Sequence, residues 1–179
     1  MIPKEVFEWN GNRLKQGQLI LAKVERLLFA VVPYTEEHAN LLKGLELWDE
    51  DFPLYKIICH SEGQLQSLNS NLPEVFWDLL DNTDKCSIFN LQPENQDLKA
   101  IENEEEFVAF TLLKDKSIKS LVQRSKYPCM LMPFNFCSNQ LNIDRGDFAK
   151  EFIVSLPPEI LEESIIQLGK KSEITVVRK

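Results

Sequence analysis

The chain has 179 residues, 44% of them hydrophobic and 27% charged, with a formal net charge of −8. That length fits a single domain, 1–179, with enough apolar residues for a sizeable core. The charge disfavours unaided binding to nucleic acid, because affinity for a phosphate backbone comes largely from Lys and Arg that displace counterions. The longest apolar runs, Leu27–Pro33 and Cys129–Phe134, fall far short of the ~20 residues a membrane helix needs. Met1 to Glu5 carry no basic flank, apolar core or small-residue cleavage site, so the expectation is a cytoplasmic protein with no membrane partner.

Strand and helix signals alternate along the chain. Leu19–Leu21 and Leu27–Val32 read as strands, and a helix over Thr35–Leu47 follows, with Thr35 as N-cap and Ala39, Leu42 and Leu45 on its apolar side. Pro53 starts a strand through Leu54, Ile57, Ile58 and Cys59. Ser61 caps a helix carrying Leu65 and Leu68, and Pro73 opens another carrying Val75, Phe76, Leu79 and Leu80. Cys86–Leu91 and Phe107–Leu113 read as strands, Lys116–Ser125 as a helix with Ile118, Leu121 and Val122 on one side, and Cys129–Met132 as a short strand. Asp147–Ser155 is expected to be helical, capped by Asp144 or Asp147, and alternation of Ile174 and Val176 gives a last strand over Glu173–Arg178. This rhythm predicts an α/β sheet with helices packed on it.

Chemistry is sparse. There is no glycine-rich phosphate loop, no H-E-x-x-H and no G-x-S-x-G. Cys59, Cys86, Cys129 and Cys137 form no C-x-x-C pair and read as buried thiols. His60, at a strand end, is a candidate acid or base with no partner fixed beside it, and a capping or surface role suits it better; His38 lies early in a helix. Lysines and arginines cluster at Lys114, Lys116, Lys119, Arg124 and Lys126 and again at Lys170, Lys171, Arg178 and Lys179, most simply as solvated faces. The acidic surplus sits in Glu46–Asp51 and Glu102–Glu106.

Leu19–Leu65, Glu106–Gln140 and Lys170–Lys179, taken in order, resemble the successive blocks of the YrdC/YciO (threonylcarbamoyl-AMP synthase) family, through pattern and spacing more than identities. The resemblance implies a twisted mixed sheet flanked by helices, with a central concave cleft. The family's activity makes threonylcarbamoyl-AMP from L-threonine, bicarbonate and ATP with a divalent cation such as Mg, for threonylcarbamoyladenosine modification of tRNA.

At the family's functional positions this sequence departs. The Pro-Thr-Asp/Glu-Thr turn is replaced by Lys23, Val24, Glu25 and Arg26. Its Lys-x-Arg motif is matched by Glu46, Leu47 and Trp48, and the lysine of its Lys-Pro-Leu strand by Phe52, with Pro53 and Leu54 kept. The strand arginine becomes Thr111, and Ser-Thr-Ser-Ala-Asn becomes Leu131, Met132, Pro133, Phe134 and Asn135. In the family those cations are expected to hold carboxylate and triphosphate, a role a glutamate reverses and a tryptophan cannot fill. The resemblance carries over only Asn135, as a ligand contact, and Ser172, as a nucleotide-phosphate contact; without it, Asn135 is a turn residue and Ser172 the start of a strand.

The expectation is therefore a non-catalytic binding protein, a pseudoenzyme with no assigned catalytic residue or metal ligand. It would bind a protein or a small ligand in a cleft made apolar by Leu131, Met132, Pro133, Phe134 and Trp48. One alternative is a divergent synthase that uses ATP and Mg. The other is a non-catalytic RNA-binding protein using the Lys114–Lys126 and Lys170–Lys179 regions.

Overall fold

The computed structural model describes residues 1–83, 86–161 and 164–178, the last of them by its backbone alone. It opens with a helix, α1 (Lys4–Lys15), that hydropathy does not announce: its buried residues are Asn10, Gly11 and Leu14, so no apolar stripe marks it. Glu5 in its first turn and Arg13 and Lys15 in its last suit the helix dipole. Gly17, at φ +74°, turns the chain into β1 (Ile20–Val24), which forms an antiparallel hairpin with β2 (Leu27–Pro33).

The Thr35 hydroxyl accepts from the His38 N–H and starts α2 (Glu36–Leu42). This helix stops at Leu42, short of the expected Leu47, because Leu47 is drawn into the core and Trp48 begins a small hairpin. The hairpin pairs β3 (Trp48–Asp49) with β4 (Phe52–Pro53) and precedes β5 (Lys56–Cys59). Ser61 caps α3 (Glu62–Leu68) by accepting from the Gln64 N–H, and Pro73 precedes α4 (Glu74–Asp81). Next come β6 (Ile88–Leu91), a 3-10 turn over Gln96–Ile101 and β7 (Val108–Leu112). Asp115 caps α5 (Lys116–Val122), and β8 (Cys129–Pro133) runs into the one-turn helix α6 (Phe134–Cys137).

The helix expected over Asp147–Ser155 is replaced by 3-10 turns at Arg145–Asp147 and Lys150–Phe152 and by β9 (Val154–Ser155), which pairs parallel to β1. Tertiary partners override local pattern here. Asn10 Nδ2 donates to the Phe152 carbonyl, Trp9 stacks on Phe152 at 5.0 Å, and Val154 is buried. β10 (Ile165–Leu168), also unannounced in the sequence, pairs parallel to β6, and β11 (Ile174–Arg178) closes the margin.

Among the described residues nine strands form one mixed sheet in the order β11-β10-β6-β7-β5-β8-β2-β1-β9, in keeping with the α/β expectation. Its faces bury separate cores, sorted by the two-residue period of each strand. Along β8, Cys129 and Leu131 join Ile58, Val31 and Leu14 on one side, while Met130 and Met132 join Ile57, Val32, Phe76 and Phe110 on the other. Strand directions place the β1–β2 turn, the start of β5, the end of β8 and the β10–β11 turn at one end of the sheet.

Candidate functional site

That shared end carries a small cavity of about 170 Å³ between β2, β5, β6 and β8. Phe29, Leu54, Leu131, Pro133, Ile88 and Leu161 line it, together with Tyr55 and Lys56. The register explains the grouping, since Phe29 stands opposite Pro133 and Leu131 opposite Lys56 across adjacent strands. Lys56, which nothing in the sequence pattern singled out beyond its being a lysine in an apolar strand, is buried and donates to the Ile160 carbonyl. Leu131 and Pro133 line the cavity as expected; Met132, Phe134 and Trp48 do not, because strand alternation puts Met132 in the opposite core, a hydrogen bond holds Trp48 against that core, and Phe134 packs there from α6.

The segment matched to the family's lysine and arginine positions is tied down. Trp48 Nε1 donates to the Ile101 carbonyl at 2.9 Å, and the Tyr55 hydroxyl donates to the same oxygen at 2.7 Å. The two rings meet edge to face at 5.9 Å, and Asn90 Nδ2 donates to the Asp51 carbonyl at 3.1 Å. Thr111 is fully buried and donates to the Ser87 carbonyl at 2.8 Å.

Both acidic runs of the sequence converge here. Glu46, Glu50 and Asp51 on one side face Glu102, Glu104 and Glu105 on the other across an open groove of about 660 Å³. Burial, then the charge of Glu106, raises the pKa of Glu102 above the ordinary carboxylate value. Among the described residues no three His, Cys, Asp or Glu side chains are grouped to hold a metal ion.

Asn135 is exposed on α6 at this end of the sheet. Ser172 is exposed in the β10–β11 turn at φ +64°, its N–H donating to the Gly169 carbonyl. Five strand-to-strand steps separate β8 from β11, roughly 24 Å at ~4.8 Å per step. His60 lies at the far end of β5, its N–H bonded to Gln64 Oε1 and its ring pKa lowered by burial. The four cysteines are buried, and burial pushes the Cys59 and Cys129 thiols up to about 12 and Cys137 to about 11. Arg124 pairs with Glu8 at 3.8 Å and Lys170 with Glu106 at 3.1 Å; Lys179 lies outside the described residues.

The large mixed sheet and its flanking helices make a YrdC-like α/β fold. No family model matches the sequence, and no curated protein does. Solved structures do match. The structure of P. abyssi Sua5 complexed with L-threonine superimposes with a TM-score of 0.66 at 14% identity, covering 96% of this chain and 53% of that one. E. coli YciO gives 0.64 at 11%, covering 99% and 90%. Full-length HypF in its phosphate- and nucleotide-bound form gives 0.60 at 12%, covering 96% and 28%. The chain thus spans about half the length of that Sua5 chain and most of YciO. The resemblance read from the sequence is borne out at the level of the fold, which is what such identities share. No helix among the described residues is long and apolar enough to cross a membrane.

Proposed function

We propose that this chain is a non-catalytic YrdC-like binding protein, a scaffold whose anion-binding chemistry has been replaced. One observation carries the reading: Glu46 and Trp48 occupy the positions matched to the cations. The first stands on a carboxylate-walled groove, and the second is locked onto the Ile101 carbonyl. Carboxylates facing one another repel a triphosphate, and a bonded indole offers it no positive charge. Thr111 supports the same reading, because its hydroxyl is sealed within the sheet where the resemblance expects a guanidinium.

These residues do not fit ATP and Mg. Asn135 and Ser172 are retained as ligand contacts in the proposal, each exposed and able to reach a bound partner. The apolar cavity beside Leu131 and Pro133 suits an aliphatic or aromatic group of a protein or small ligand better than the carboxylate and ammonium of an amino acid.

Isothermal titration with ATP, with and without magnesium, L-threonine and bicarbonate, backed by a pyrophosphate-release assay, tests the proposal. Absence of binding at millimolar ATP is the expected result. Tight binding with pyrophosphate release would overturn it in favour of a divergent threonylcarbamoyl-AMP synthase. Salt-sensitive binding of RNA without release would favour the basic surfaces instead.

A further inference from the structure

β11 forms one margin of the sheet, and among the described residues it pairs with β10 alone. The other margin, β9, is two residues long and lies against α1 and the Lys150–Phe152 turn. In an antiparallel ladder the N–H and C=O of a residue point to the same side and alternate along the strand. The Gly169 N–H donates to the Glu173 carbonyl, so Glu173 and Thr175 turn their backbone toward β10, while Ile174 and Val176 turn theirs outward. The side chains of Ile174 and Val176 share a face and are 41% and 56% exposed. No proline interrupts the strand, and its one register irregularity, opposite Ile165 and Ile166, lies beyond Val176. Natural edges of this length are ordinarily blunted by charge, proline or cover.

We propose that β11 is a self-association edge that pairs antiparallel with β11 of a second copy across a two-fold axis. The row is complementary to itself in one register, with Thr175 opposite its own equivalent and Ile174 opposite Val176 on either side. Each Ile174–Val176 pair exchanges two backbone hydrogen bonds and brings two exposed aliphatic side chains together on one face. Over residues 173–177 that register sets no charged side chain against one of like sign, and a two-fold axis closes the assembly as a dimer. A strand edge buries less than the ~1,200 Å² at the low end of stable interfaces, so the dimer depends on concentration. This inference is independent of the proposed function, since it concerns the margin and not the cavity.

Sedimentation equilibrium over a concentration series tests it. The mass rises from monomer toward dimer with concentration for the 179-residue chain. It stays at the monomer value for Val176→Lys and is unaffected by Leu27→Lys, a change at a comparably exposed aliphatic residue outside β11. The Thr175→Cys variant forms an intermolecular disulfide on mild oxidation, because directly opposed residues without mutual hydrogen bonds approach to a Cα separation of about 4.5 Å. Circular dichroism confirms that each variant is folded. A monomer at every concentration, or an undiminished dimer in Val176→Lys, overturns the edge; a dimer in which Thr175→Cys does not cross-link overturns the register.

Discussion

The tether of the β3–β4 hairpin makes a quantitative test of how the candidate site is held. Trp48 and Tyr55 both donate to the carbonyl of Ile101, a residue with no exposed surface. Trp48→Phe keeps an aromatic ring against Tyr55 and removes one donor while leaving that oxygen satisfied, so it is expected to cost about 1 kcal/mol. Tyr55→Phe removes the second donor and also the acceptor of the Ala109 N–H, at 3.3 Å, and is expected to cost about 2 kcal/mol. The double variant orphans a buried carbonyl, which neither single change does. It should therefore lose roughly 1–3 kcal/mol beyond the sum of the two. For a chain of this length each kcal/mol lowers Tm by about 2–4 °C. Urea denaturation of the four proteins, with m-values compared to confirm a common unfolded state, completes the cycle. Strict additivity would refute the shared-acceptor reasoning and leave the hairpin held by packing alone.

Thr111→Val should cost about 1 kcal/mol through the lost bond to Ser87, whereas Thr111→Arg buries an unpaired charge and should cost at least ~3–5 kcal/mol, visible as loss of cooperative unfolding. The Glu46→Lys/Phe52→Lys double variant, at two exposed positions, should leave stability unchanged and bring ATP binding into the millimolar range by calorimetry; continued absence of binding would show that charge reversal is not what excludes the nucleotide. The buried thiols remain neutral in the folded protein to about 12 for Cys59 and Cys129, whereas unfolded thiols ionise near pH 9. Their contribution to stability is therefore intact below pH 9 and is lost as pH rises from there toward 12, at up to ~1.4 kcal/mol per pH unit for each thiol. A denaturation series between pH 8 and pH 11 reads this slope, and a thiol reagent at pH 8 should label none of the four cysteines until the chain unfolds.

Local chemistry makes much of this protein legible from residue order alone. Thr35 and Ser61 announce helix starts because a side-chain oxygen can serve a free N–H three residues on, and the strands around Val31, Ile58, Phe110 and Met130 announce themselves by unbroken apolar runs that only a sheet covered on both faces explains. The elements that escape are those whose reason lies elsewhere in the chain. α1 buries Asn10 and Gly11 because Phe152 and Arg124 meet them there, and β9 and β10 are strands because β1 and β6 offer them open edges.

The same division runs through the site. The sequence by itself determined the covered sheet and the buried thiols, since each depends on residue type and short-range pattern. Only the tertiary structure decided that two acidic runs some fifty residues apart share one groove, that Trp48 and Met132 face away from the cavity which Lys56 enters, and that Ile174 and Val176 stand on an open edge. Long-range pairing fixes which strand lies beside which, and with it the face and the neighbour each side chain receives; a local pattern carries the alternation but not the partner.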